Sequence, residues 1–514
     1  MIIFYALYFL LAVFGYRRLL FCMKFLQQDN YFNKRFLRFG ARGLQLIDKH
    51  VSIPLAAGIL AFGTTWNAWW MLIPIAALIA QIVIEKNPMK GGIKPLAMTA
   101  RAKRIFWTAF GLWCAALAAN AAFCDGNLAA LLAMVLFAPA FLMLANFVLI
   151  PVEKLIQQKY INEAKAILKK YNPVTIGITG SFGKTSLKNI LQHILNSYSS
   201  SFATKRSINT MMGIVRVIRE EMNQPYKYFV AEMGVGDRGQ MPELARFINP
   251  RYGIITAVGA AHLVNFKKLA AVAREKFRLS KYVHKNGGRS ILVAQNIAPE
   301  FIEKYKSPDD LIFTGNEIEN VKQTIEGLSF SLNHDGQKYD IFAPIYGTHQ
   351  AENISIAFVM ARMLGVSAES IILALKTLKQ TEHRLEVRQE GQLTVIDDAF
   401  NSNIKGFLSA LETGAAIKGA NRFILITPGM VELGEMHAEQ HRAAGAKANE
   451  ACDVVIAVNP ARIKDFTDRI SEGKLVTAQS LNQAREWLAA NGRSGDVVLY
   501  ENDLPDIHIE KIRI

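Results

Sequence analysis

The stretch Gly177-Ile-Thr-Gly-Ser-Phe-Gly-Lys-Thr-Ser186 constrains this chain more than any other. It follows an apolar run, 174–178, that reads as a strand. It precedes Leu187, Ile190, Leu191, Ile194 and Leu195, which recur at helical spacing. A glycine-rich turn between a strand and a helix N-terminus aims backbone N–H groups and the positive helix end at one spot, which suits phosphate oxygens. Lys184 is then placed to reach terminal phosphates and the Thr185 hydroxyl to hold a magnesium ion. Gly180, Ser181, Gly183, Lys184, Thr185 and Ser186 are the expected nucleotide contacts. The generic phosphate loop has glycine where Ile178 stands, so this one is of the tighter Thr-Gly-x-x-Gly-Lys-Thr form.

Before residue 151 the chain has a different character. Hydrophobic residues make up 51% of the 514, and nearly all of the excess lies here. Apolar runs cover 2–13 (continuing weakly to 21), 51–62, 66–84, 105–123 and 128–150, and the last three approach or exceed a bilayer-spanning length. About five spans are expected. A cleaved signal peptide is disfavoured because no basic region precedes the first run. A soluble all-helical domain is disfavoured because the runs lack polar faces. Eight Lys or Arg fall in 17–49 and six in 86–104, while the other two connections carry none, so the basic loops are cytoplasmic. The N-terminus is then outside, and everything after Pro151 shares the cytoplasm with ATP. Trp66, Trp69, Trp70 and Trp107 fit an interfacial belt. The net charge of +16 is explained by topology and does not require nucleic acid. Cys22, Cys114, Cys124 and Cys452 have neither zinc-like nor disulfide-like spacing.

After a charged helical linker, 151–172, strands and helices alternate. The strand at 228–231 runs into Glu232, an acidic residue at the strand edge where a second magnesium contact belongs. A strand at 252–258 leads to Gly259-Ala-Ala-His262, and a helix at 270–283 carries Lys276. Tyr346-Gly-Thr-His-Gln-Ala-Glu-Asn353 opens a helix at 354–364. A strand at 393–396 ends in Asp397-Asp-Ala-Phe-Asn-Ser-Asn403, and further strands follow at 423–427 and 453–458. The pattern is α/β, in two domains: 173–380 and 381–514.

Taken in order, Thr179 to Thr185, Glu232-Met-Gly234, Ala261-His262, the Lys276 helix, Gly347-x-His-x-x-x-Asn353, Arg384, Asp397 to Asn401 and Glu432-Leu-Gly434 resemble the Mur ligase family. The likeness is nearest to its MurF branch, which joins D-alanyl-D-alanine to a UDP-muramoyl tripeptide. It covers roughly 173 to 514. The resemblance implies a P-loop Mur-ligase central domain and a Rossmann-like C-terminal domain, with ATP and Mg2+ as cofactors; with the helical transmembrane region read from the apolar runs ahead of them, the expected fold class is α/β. In this chemistry a carboxylate attacks the ATP γ-phosphate, and an amine then displaces phosphate from the acyl phosphate. Positioned cations supply the catalysis.

By the same resemblance, Lys184 and the 180–183 backbone hold phosphates, while Thr185 and Glu232 bind the first magnesium. His262 and a carbamoylated Lys276 bind the second. Asn353 contacts adenine, Arg384 the phosphates after domain closure, and Asp398 the ribose; Asn401 and Asn403 sit by the incoming amine. His437 and His441 read as surface residues of a helix.

Four positions depart from the family pattern: Thr210 for Asn, Gln350 for Asn, Arg278 for Glu and Ile404 for Pro. Arg278 reverses a charge beside a proposed metal site. Apolar spans also occupy the place of the domain that grips UDP in soluble members, so binding energy from a remote nucleotide handle is lost unless something replaces it. The expectation is a membrane-anchored, ATP-dependent amide ligase at the bacterial inner membrane. It would act on a UDP- or lipid-linked carboxylate and an amino acid or dipeptide, beside glycosyltransferase or polymer-assembly partners. The alternatives are a degenerate nucleotide-binding scaffold subunit and a transporter-like ATPase; few ionisable residues in the spans oppose the latter.

Overall fold

The structure, a computed structural model, describes residues 2–28, 31–34, 36–37, 49–85, 87–89, 95–124, 126–259, 266–324, 326–380, 383–399, 403–431 and 433–502. They form two compact units that meet in sequence between Gln158 and Lys159.

The first unit is helical. Two helices, Ile2–Gln28 and Ala100–Phe123, are long and apolar enough to cross a membrane. The pair Leu128–Leu136 and Ala138–Val148, bent by 69°, would make a third span. The other two expected spans are the Lys49–Thr65 helix, with 17 residues and Pro54 inside, and the apolar segment Ala68–Ile84. At 1.5 Å per residue, 17 residues reach about 26 Å, short of a hydrocarbon core of about 30 Å. The two long helices approach closely because residue 15 is glycine. A Cβ there would come within 2.3 Å of the Trp113 indole, whose Nε1 donates to the Leu11 carbonyl at 3.1 Å. Arg18, within the first helix, pairs with Glu85 at 3.2 Å, and both are buried.

The second unit carries two six-stranded sheets. The first is wholly parallel: β1 (Val174–Thr179), β2 (Ser201–Ala203), β3 (Tyr228–Glu232), β4 (Tyr252–Ile255), β5 (Arg289–Val293) and β6 (Leu311–Phe313), in the order β2-β3-β1-β4-β5-β6. Its strands are apolar on both faces because helices cover both. The helix Lys184–Tyr198 buries Leu187, Ile190, Leu191, Ile194 and Leu195 against it. Each such side chain contributes about 1.5–3 kcal/mol of transfer free energy. The chain leaves β1 toward β2 and leaves β3 toward β4 on the other side. The crevice beyond the C-terminal end of β1 is therefore a topological switch point.

Three features differ from the sequence expectation. The strand expected over 252–258 ends at Ile255, because the following residues bond sideways: Ala257 accepts from Ser181 N at 3.0 Å, and Val258 N donates to Asn296 O at 3.0 Å. The helix expected over 270–283 is two helices, Leu269–Lys276 and Arg278–Lys285, divided at the buried Phe277. An antiparallel sheet of β7 (Ile318–Thr324), β8 (Gly327–His334) and β9 (Gln337–Ala343) pairs with neither large sheet, while its Leu328, Phe330, Leu332 and Ile341 share the first sheet's core.

The second large sheet comprises β10 (Glu386–Glu390), β11 (Leu393–Asp398), β12 (Phe423–Thr427), β13 (Val454–Val458), β14 (Leu475–Ala478) and β15 (Val497–Glu501). Its order is β10-β11-β15-β12-β13-β14, with only β10 antiparallel to its neighbour. This is a Rossmann-like sheet with a core on each face.

Candidate functional site

The turn after β1 is shaped by what it must pass. A Cβ at Gly180 would lie 1.9 Å from Thr256 Oγ1. Gly183 caps the next helix at φ 80°, a left-handed conformation that glycine adopts without strain. Ser181 is spent on structure: its hydroxyl accepts from Gly259 N at 2.8 Å and faces the Gly259 carbonyl at 3.2 Å. Lys184 folds back, donating from Nζ to the Gly180 carbonyl at 2.8 Å. Burial lowers its pKa, the nearby Glu232 opposes that, and Arg384 adds to it.

Glu232, 1% exposed, ends β3 beside this turn. Thr185 Oγ1 donates to Oε2 at 2.8 Å, and Asn209 Nδ2 donates to Oε1 at 2.9 Å. Lys188 Nζ lies 3.7 Å from Oε2. The hydroxyl and carboxylate are hard oxygen donors of the kind a magnesium ion takes, at a helix N-terminus beside phosphate-binding groups. The residues present therefore fit both the nucleotide and the metal. Lys188 was missed by sequence reasoning. Its signal was a lysine set among Leu187, Ile190 and Leu191 on the buried face; the side chain is fully buried, and burial pushes its pKa down to about 8 against the pull of Glu232.

Lys276 is 2% exposed, and burial, then the charge of Lys184, holds its pKa well below the ordinary amine value. Its neighbour Glu275 caps the Gln240–Ile248 helix, accepting from Gly239 N at 2.8 Å and Met241 N at 2.9 Å. Arg278, the charge reversal, pairs with Glu275 at 3.3 Å, so its charge is answered locally. Among the other departures, Gln350 Oε1 accepts from Asn353 Nδ2 at 2.9 Å, which orients the asparagine. Thr210 stands at the N-terminus of the Met211–Glu221 helix.

The second sheet supplies the opposite wall. Arg384, Leu385, Ser186 and Gln350 line two adjoining cavities. The larger, about 300 Å³, also takes in Asn189, His193 and Tyr346. The smaller, about 50 Å³, takes in Gly183, Asn353, Asp398 and Lys405. Burial lowers the Arg384 pKa while Asp398 and Glu232 both attract its charge. Burial raises Asp398 to about 6 despite Arg384, and its Oδ1 accepts from Leu385 N at 3.1 Å. Asp397 points elsewhere: burial would raise it, but hydrogen bonds from Arg388 and His383, each 2.9 Å, hold it below the ordinary carboxylate value.

Asn403 caps the Ile404–Ile417 helix, accepting from Gly406 N at 3.1 Å. His441 is not a surface residue. It is fully buried, its Nε2 accepts from Met430 N at 3.1 Å, and burial pushes its pKa down to about 4. His262, Asn401 and Glu432 lie outside the described residues. The structure thus brings Gly180, Gly183, Lys184, Thr185, Ser186, Glu232, Asn353, Arg384 and Asp398 to one crevice between two sheets, and couples Lys276 to Lys184 electrostatically.

The family model of the Mur ligase middle domain matches residues 178–361, and that of the Mur ligase, glutamate ligase domain matches 383–500. Among curated relatives, the UDP-N-acetylmuramoyl-tripeptide–D-alanyl-D-alanine ligase of Bacillus subtilis is 26% identical over 288 residues, 55% of this chain and 62% of that protein. The Escherichia coli counterpart is 27% identical over 297 residues, 55% of this chain and 64% of that protein. The chain therefore spans less than two thirds of the length of these relatives. The MurF ligase of Thermotoga maritima, solved in complex with ADP, shares the fold with a TM-score of 0.60 at 22% identity, over 69% of this chain and 82% of that one. A MurF from Acinetobacter baumannii gives 0.59 at 21%, over 69% and 78%. The ordered motifs, the two sheets and two adjacent family domains matching more than half of the sequence agree: this chain belongs to the Mur ligase family.

Proposed function

We propose that the protein is a membrane-anchored, ATP-dependent amide ligase of the Mur type in cell-envelope precursor or surface-polymer synthesis. The carboxylate of a UDP- or lipid-linked precursor attacks the γ-phosphorus of ATP, releasing ADP and forming an acyl phosphate. The amine of an amino acid or dipeptide then attacks the acyl carbon; phosphate leaves and the amine loses a proton. The relatives' names make D-alanyl-D-alanine the first amine to try.

The observation that carries the reading is the meeting of Lys184, Thr185 and Glu232 from the first sheet with Arg384 and Asp398 from the second. In this reading Lys184 and the backbone N–H groups of 180–184 hold the β- and γ-phosphates, and Arg384 closes on them from the other wall. Asn353 meets adenine and Asp398 the ribose. Thr185 and Glu232 would hold magnesium, which when bound neutralises charge on the phosphates; His262 and Lys276 would hold a second ion. Low basicity at Lys276 supports its carbamoylation, since only a neutral amine adds carbon dioxide. The apolar N-terminal helices hold the chain at the inner membrane of a bacterium with both sheets in the cytoplasm, following the basic loops.

The test is phosphate release by the detergent-purified protein with ATP, magnesium, D-alanyl-D-alanine or single amino acids, and either a UDP-muramoyl peptide or extracted membrane lipid. Amine-dependent release that vanishes in Lys184→Ala is expected, and the acceptor that supports it identifies the precursor class. No release under any combination would overturn the ligase reading in favour of a nucleotide-binding scaffold.

A further inference from the structure

A chain of polar contacts runs from the second domain to the phosphate loop. Lys405, in the Ile404–Ile417 helix, places Nζ 3.0 Å from Glu352 Oε2 and 3.1 Å from Asn296 Oδ1. Glu352, in the Gln350–Met363 helix, also accepts from Asn296 Nδ2 at 2.5 Å and from the Gln295 side-chain amide. Asn296 donates again, to the Thr256 carbonyl at 3.1 Å. Thr256 Oγ1 in turn donates to the Phe182 carbonyl inside the loop, and Thr256 N donates to Thr179 O at 2.8 Å. Thr256 is also the residue against which Gly180 is packed.

The charge asymmetry decides what this chain can do. The Glu352 side chain is 10% exposed, whereas that of Lys405 is 42% exposed. A carboxylate that deep is costly without a cation, and its cation comes from the other domain. Undocking the second domain would leave Glu352, among the described residues, with the amides of Gln295 and Asn296 and no cation, and the Asn296 amide that now also holds Thr256 would turn further toward it. That movement pulls on Thr256 and, through it, on the phosphate loop.

We propose that Lys405 is a positioning residue that couples docking of the second domain to the conformation of the 180–186 loop, acting through Glu352, Asn296 and Thr256. The kinetic consequence rests on the ligase reading; the structural consequence does not. The experiment is hydrogen–deuterium exchange on the full chain in detergent, comparing wild type with Lys405→Arg, Lys405→Met and Lys405→Glu. The exchange order expected in peptides spanning 180–186 is Arg close to wild type, Met faster and Glu fastest. The Met-to-wild-type ratio should be about 10-fold, below the full cost of breaking a buried pair because Lys405 is part-exposed. Peptides from 423–478 should not change. ADP affinity should fall in the same order.

Equal loop exchange in wild type, Met and Glu variants would overturn the proposal. So would faster exchange throughout the second domain, which marks general loosening. Absence of turnover in wild type would remove the ligase reading and leave the exchange comparison to stand or fall by itself.

Discussion

Glu232 closes β3 of the first sheet and Asp398 closes β11 of the second, and both attract Arg384, yet their surroundings differ. Glu232 takes hydrogen bonds from Thr185 and Asn209 and has Lys188 at 3.7 Å. All three partners belong to the first domain, within the 185–232 stretch. Asp398 has one backbone donor, Leu385 N, and burial lifts it to about 6. One carboxylate is surrounded by two side-chain donors and a lysine of its own domain; the other has a single backbone donor and is raised by burial. In the proposed reading, the phosphate and metal work falls to the first sheet. In that reading the second sheet supplies Arg384 and Asp398 as the opposite wall.

The sharpest way to break that contrast is to remove the first sheet's own cation. Lys184→Ala should lower amine-dependent phosphate release by about 10³-fold or more, the scale of losing a cation aimed at transferring phosphate. If turnover survives, the first sheet does not carry the phosphate work. Arg384→Ala tests the other wall and should cost about 10²-fold in kcat, with a smaller change in ADP affinity. Arg384→Lys should not restore it, because a point charge does not reproduce a planar fork. A loss confined to ADP affinity would make Arg384 a ground-state contact and dissolve the idea of a closing wall.

The unequal legibility of the two halves has the same physical origin. The phosphate loop, its strand and its helix are contiguous, so spacing alone located Lys184 and Thr185. Glu232 was readable because the end of a strand neighbouring β1 is a defined place in such a sheet. Lys188 was hidden because helical periodicity assigns its position to the core, and nothing local announces that a buried lysine will meet a carboxylate 44 residues on. Lys405 and Glu352 were hidden because domain docking alone brings them together. The β8–β9 hairpin was in principle readable. Asp335-Gly336, both at positive φ, is a favoured two-residue turn between alternating segments. His441 misled because helix composition around it is polar, whereas its burial follows from the Gly429 turn packed on its ring, 2.7 Å from where a Cβ would be.

Asp398 offers a subtler test, in stability. An ordinary aspartate of 3.8 raised to about 6 means that the folded state binds more protons than the unfolded state between those values. Stability contributed by this group therefore falls as pH rises through that window, and the penalty is complete above about 6. Asp398→Asn should raise the stability of the 159–503 unit at pH 7 by about 3 kcal/mol, with most of the gain gone near pH 4. The same variant should lose activity, since a carboxylate kept at a stability cost is one that function uses. Denaturant unfolding at pH 4, 5.5 and 7 checks this. A pH-independent difference would show that Asp398 is not the group that titrates.

His441 should show the opposite slope over nearly the same range. Its imidazole drops from 6.5 to about 4 in the fold, so here the unfolded state binds more protons. Its contribution is complete above about 6.5 and is lost as pH falls toward 4. The cause is specific: Nε2 accepts from Met430 N, and a proton on that nitrogen would set two donors against each other in a buried site. His441→Gln keeps an acceptor and removes the titration, so it should cost only about 1 kcal/mol at pH 7. It should also flatten the acid side of the profile. Because the Asp398 and His441 slopes oppose one another, the wild-type protein should vary little in stability between pH 4.5 and 6, on the order of 1 kcal/mol. Each single variant should then unmask the slope of the other, and the double variant should be flat again. If the two single variants instead slope the same way, at least one of the two groups titrates elsewhere than its buried surroundings in the second domain dictate.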